Sequence, residues 1–127
     1  MREILFRGKH GGNWFEGNLV MYNGKPVISR QAQDAPGTVG YEVNPETVCQ
    51  FTGKHDGSGV KIFEHDIVQL DDGCYAEILW DEDEALFNIY GGDASDIYED
   101  FRTIESEDVE VIGNIFDNPE LMKGGAV

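Results

Sequence analysis

The 127 residues carry 25 Asp and Glu against nine Lys and Arg, a formal charge of −16 at pH 7, in a length that suits one domain with its own core. Such a surplus of carboxylate, which falls in the C-terminal half, repels a phosphate backbone, so direct nucleic-acid binding by that half is not expected, and no apolar run approaches the roughly 18 residues of a membrane span. The opening Met1-Arg2-Glu3-Ile4 lacks the apolar core of a secretion signal, so the expectation is a cytoplasmic protein with no membrane partner.

In chain order, Ile4 to Arg7 reads as a first strand and Trp14 to Tyr22 as a second, with Phe15, Leu19 and Met21 on one face. Asn23-Gly24 supplies the positive-φ pair of a type I′ hairpin that returns the chain into Val27 to Ser29. Gln31 to Thr38, with Pro36-Gly37, reads as a surface loop. Strand character resumes at Val48 to Thr52, and Gly53 to Gly59 forms a broad turn.

Ile67 to Leu70, Cys74 to Trp80 and Leu86 to Tyr90 then make an antiparallel meander of the kind that closes into a small SH3-like barrel. Cys74, Ala76, Ile78 and Trp80 line one side of its middle strand. Asp93 to Phe101 reads as a short helix or an irregular crossing, since Ile97, Tyr98 and Phe101 fit helical spacing. Val109 to Ile115 is a last strand, and Asn118-Pro119 suits the cap and first residue of one turn ending at Met122. The expected fold is therefore mainly β: a small antiparallel barrel with an N-terminal hairpin subdomain and little helix. Cys49 and Cys74 both sit in apolar patterns and are expected as reduced, buried thiols.

Charge is placed unevenly along this fold. Residues 1–62 hold seven Lys and Arg against six Asp and Glu, while residues 63–127 hold two against nineteen. A single domain over residues 1–127 is expected, with the shift at residue 62 as a candidate boundary between a near-neutral and a strongly acidic subdomain.

Five blocks occur in order: Arg2 to Gly8, Trp14 to Gly17, Pro45 to Gly53, Asp56 to Val68 and Glu110 to Leu121. Together they resemble the YopX family of small phage and prophage proteins, nearly end to end. The chain departs from that pattern at Cys49 and at His65, where glycine is common. The resemblance implies a phage accessory protein working in the bacterial host cytoplasm, and it carries over no catalytic residue. Each shared block also has a structural explanation in turns and core aliphatics.

No constellation points to catalysis. His55-Asp56 and His65-Asp66 repeat a dipeptide of metal phosphohydrolases but sit beside glycine-rich turns without further ligands. His10, His55, His65 and the cysteines lack the close ligand pair of a structural zinc site. Asp81-Glu82-Asp83-Glu84 lacks the spacing of a calcium loop and reads as a solvated hairpin tip. No metal, cofactor or catalytic residue is expected, and the protein is expected not to be an enzyme.

The acidic residues Asp81, Glu82, Asp83, Glu84, Glu105, Glu107 and Asp108 are the candidate docking surface for a host or phage protein with a basic face. Rows of carboxylates on alternate strand positions would imitate a phosphate path. Solubility alone is the competing explanation for the charge. Two other readings stand beside it. One is a homo-oligomer, with Leu79 and Leu86 as exposed apolar candidates and contact through the neutral half. The other is a weak nucleic-acid binder using Arg2, Arg7 and Lys9, with Lys25 and Arg30 completing a small positive patch.

Overall fold

A computed structural model describes residues 3–71, 73–91 and 105–122, and the backbone of residues 97–100. The chain divides into two compact units, Met1–Phe51 and Thr52–Val127. Counted by unit, the first holds five Lys and Arg against five Asp and Glu, and the second four against twenty. The net charge of −16 thus belongs wholly to the second.

In the first unit, β1 (Phe6–His10), β2 (Asn13–Tyr22), β3 (Lys25–Gln31) and β4 (Thr38–Glu42) are followed by a 3-10 turn at Pro45–Thr47 and the start of β5 (Cys49–His55). All pairing is antiparallel, in the order β4-β3-β2-β1-β5. The long β2 divides its partners: Asn13 to Gly17 pair with β1, and Asn18 to Tyr22 with β3. Asn23 and Gly24 take φ of 52° and 77°, both positive as the expected hairpin requires. Ile28, Val43, Cys49 and Phe51 are its buried apolar residues.

In the second unit, the remainder of β5 pairs with β6 (Lys61–Phe63). There follow β7 (Asp66–Leu70), β8 (Tyr75–Asp81), β9 (Leu86–Tyr90), β10 (Ile97–Asp100) and β11 (Val109–Asn114), with 3-10 turns at Ser106–Asp108 and Pro119–Leu121. Their antiparallel order is β10-β9-β8-β7-β11. The core is a cluster of Ile62, Val68, Leu70, Ala76, Ile78, Phe87, Ile89 and Val109, with Val111 packed on it. Period-2 alternation produces this: Ala76 and Ile78 of β8 point inward, while Tyr75, Glu77 and Leu79 do not.

The mainly β class and the meander stand, as open sheets; no closed barrel is formed among the described residues. The loop from residue 32 to 37 lies where it was expected. Ile97–Asp100 is a strand against β9 rather than helical, and the rest of Asp93 to Phe101 lies outside the described residues. The turn before β6 is tighter than Gly53 to Gly59, because β5 continues to His55. Cys74 is exposed, not buried, since β8 begins only at Tyr75, whereas Cys49 is buried; neither is in a disulfide. Trp80 shares the parity of Ala76 and Ile78 but lies at the strand's end, 42% exposed, with its ring edge on Phe87 at 5.0 Å. Leu86 is buried and Leu79 half-buried, so neither offers the exposed apolar surface expected of it.

Candidate functional site

The polar residues that mark the sequence blocks are engaged in building turns. Asn44 Oδ1 accepts the Glu46 N–H at 3.1 Å, and Thr47 Oγ1 both donates to the Asn44 carbonyl and accepts the Lys9 N–H. Asp66, 1% exposed, accepts the Phe63 N–H at 2.7 Å. Gly113 sits at a register shift in β11, where a Cβ would collide with the Asn118 side chain. The space it leaves admits Asn118 Oδ1, which accepts the Asn114 N–H at 3.3 Å. Asn114 Oδ1 in turn accepts the N–H groups of Phe116 and Asp117.

Asp56 is the most connected of these side chains. Its Oδ1 accepts N–H bonds from Ser58 and Val60 at 2.9 and 2.8 Å, and its Oδ2 accepts that of Val111 at 3.0 Å. Burial pushes the carboxyl up, but donation from Val111, Val60, Ser58 and Gly59 outweighs it and leaves the group below its ordinary value of 3.8. This is an anion held by backbone dipoles, with both oxygens occupied by the fold.

His65 occupies the turn between β6 and β7 at φ 70°, a conformation that costs a side-chain-bearing residue about 1–2 kcal/mol. Its Nδ1 lies 3.0 Å from Glu77 Oε2, its Nε2 lies 3.7 Å from Glu64 Oε2, and its ring meets Phe116 edge-on at 5.5 Å. The two His-Asp dipeptides therefore serve turns. Among the described residues no group of three His, Cys, Asp or Glu could hold a metal ion.

The seven acidic residues singled out from sequence lie in two places. Asp81 ends β8 and caps its turn: Oδ1 accepts the N–H groups of Asp83 and Glu84, and Oδ2 accepts the Asn88 side-chain amide. Glu82, Asp83 and Glu84 are exposed on that turn. Glu105, Glu107 and Asp108 lead into β11, whose Val109 pairs with Leu70 at the far end of β7. Since β8 runs back from that end to Asp81, the two groups occupy opposite ends of the sheet, about 20 Å apart along a seven-residue strand.

At the Glu105 end an open hollow of about 270 Å³ is lined by Asp71, Glu107, Asp108 and Glu110, with Leu70 and Val109 between them and Gly57, Ser58 and Gln69 beside them. No Lys or Arg lines it. Sequence reading missed Asp71 and Glu110. Glu110 was within reach, because Val109 turns inward and the next residue must turn out. Asp71 joins only through the β7–β11 pairing, which no local pattern announces.

The positive patch of the first unit is divided as well. Arg7 and Lys9 lie over the Trp14 ring, at 4.5 and 5.6 Å. Arg30 lies over Phe15 and Tyr41, which stack at 3.9 Å. Trp14 and Phe15 are neighbours on β2 and so face opposite sides of the sheet. Arg2 lies outside the described residues.

No helix among the described residues is long and apolar enough to cross a membrane. No curated protein matches the chain. The family model described as YopX protein matches residues 7–123, all of the strands and turns set out above but Phe6 at the start of β1, and the chain therefore belongs to the YopX family.

Proposed function

We propose that this protein is a phage-encoded accessory factor, not an enzyme, that binds a basic face of a host or phage protein through its acidic second unit. The observation that supports this reading is the hollow whose charged rim is wholly anionic, on a unit with twenty acids against four bases. Asp71, Glu107, Asp108 and Glu110 would receive Lys or Arg side chains, while Leu70 and Val109 would meet the aliphatic stems. The signature residues of the family serve the fold, which leaves recognition to such surface positions. Mimicry of a phosphate path is the weaker form of the idea, because no described strand has carboxylates at successive alternate positions.

The test is affinity capture from infected-host lysate with three proteins: wild type, a variant with Asp71, Glu107, Asp108 and Glu110 changed to Asn or Gln, and one with Glu82, Asp83 and Glu84 so changed. A partner retained by wild type and the tip variant, lost from the hollow variant and released by salt supports the proposal. Identical recoveries from all three would leave the carboxylates with a solubilising role only.

The cation-aromatic contacts of the first unit favour one further reading, weak binding of single-stranded nucleic acid by stacking and charge. It predicts binding that falls steeply with salt and vanishes when Arg7 and Lys9 are changed to Ala. Absence of DNA and RNA binding at low salt removes it.

A further inference from the structure

The most exposed apolar surface of the first unit is the far half of its long hairpin. Val20, Met21 and Tyr22 are consecutive and 45%, 62% and 67% exposed. Cross-strand register fixes which of them share a face. Val20 stands opposite Val27, Tyr22 opposite Lys25, and Val27 opposite Glu42, and directly paired residues project to the same side. That face therefore presents two large exposed apolar side chains and the half-buried Val27. At its margin Lys25 Nζ lies 3.7 Å from Glu42 Oε2, with both side chains more than half exposed.

The backbone there is open too. Among the described residues, Asn18 to Tyr22 bond to β3 only, because pairing with β1 stops at Gly17. An exposed strand edge beside bare apolar side chains is what soluble proteins avoid unless something covers it.

We propose that this hairpin face is a self-association surface on which a second copy of the chain packs about a two-fold axis. Two observations favour a second copy over a foreign protein. An isologous contact requires a patch to be its own complement, and here a cation and an anion stand side by side, so Lys25 of one copy meets Glu42 of the other, and the reverse. The unit that bears the patch has no net charge, with five bases against five acids, whereas the acidic unit opposes its own kind. Two copies meeting hairpin to hairpin bury Val20 and Tyr22 on a unit without net charge. Salt, by screening the remaining repulsion, strengthens the pair.

The test is light scattering coupled to size exclusion at about 100 µM protein, in low and high salt, with circular dichroism to confirm folding. Wild type runs as a dimer, favoured by salt, and changing Val20 and Tyr22 to Ser raises the dissociation constant at least about tenfold. Charge reversal supplies the arm that depends least on folding, since both positions are exposed. Lys25→Glu and Glu42→Lys each run as monomers alone, like charge facing like, and an equimolar mixture of the two restores the dimer. A wild type that is monomeric in both salts overturns the proposal. So does a dimer indifferent to V20S/Y22S, or a mixture that stays monomeric.

Discussion

The carboxylate of Asp56 accepts the backbone N–H of Val111 at 3.0 Å, joining two residues 55 positions apart. The same group closes its own turn through Ser58 and Val60. One side chain thus ties the β5–β6 hairpin to β11, the strand that enters the sheet last in sequence and finds its place beside β7.

Replacing Asp56 by Ala leaves these N–H donors without their acceptor in a site where the side chain was 4% exposed. Each orphaned buried donor costs about 1–3 kcal/mol, and relaxation lets water reach some of them. The expected loss is about 2–4 kcal/mol in urea unfolding, with the midpoint shifted and the slope unchanged. A loss below about 0.5 kcal/mol, ordinary for a surface change, would mean that the clamp is not needed.

The acid limb of stability carries a second signature. The folded pKa of Asp56 is depressed, so its contribution is fully present above the unfolded value near 3.8 and disappears as pH falls through the lower folded value. The stability difference between wild type and Asp56→Asn should hold constant above about pH 5 and shrink below it. Taking the difference removes the opposing effect of the other carboxylates, whose mutual repulsion eases as they protonate. A difference that grows on acidification contradicts the assignment.

At His65 two effects oppose each other, and two substitutions separate them. His65→Ala loses the contacts to Glu77 and Phe116 while keeping the left-handed backbone. His65→Gly loses the same contacts but removes the penalty of a Cβ at φ 70°. The glycine variant should therefore be about 1 kcal/mol more stable than the alanine variant. Equal stabilities in thermal melts would show that the backbone relaxes out of that conformation.

The two thiols should differ in reactivity. Cys74 is exposed and Cys49 is buried, its Sγ donating to the Thr47 carbonyl at 3.2 Å. A small disulfide reagent should titrate one thiol in the native protein and two after denaturation. Rapid modification of both in the native state would place Cys49 near solvent.

Local rules explain what was legible. Asn23-Gly24 announces its hairpin because that dipeptide is one of the few that accept two positive φ values cheaply, and the alternation in β8 fixed Ala76 and Ile78 inside. What failed was decided by strand pairing and not by any local pattern. β4 has the sequence TVGYE, with too little apolar pattern to register, and is held by pairing with β3. β6 is three residues long. Ile97–Asp100 has spacing that suits a helix, yet the backbone bonds to β9. The separation of the acidic groups is of the same kind. Asp81 to Glu84 were placed at the β8–β9 turn from sequence, but Glu105 to Asp108 go to the opposite end only because β11 chooses β7 as its neighbour.

The Asp56 turn does more than steady β11. Gly57 and Ser58 belong to the wall of the anionic hollow, and the Gly57 N–H also donates to the Val109 carbonyl at 3.2 Å. The backbone that carries Glu107 to Glu110 is thereby bolted down, so a basic partner docking there as proposed would find the backbone already ordered, and only side-chain freedom would remain to be lost. If the hollow takes the proposed basic partner, loosening that bolt at Asp56 should shorten the partner's residence time, although Asp56 does not line the hollow.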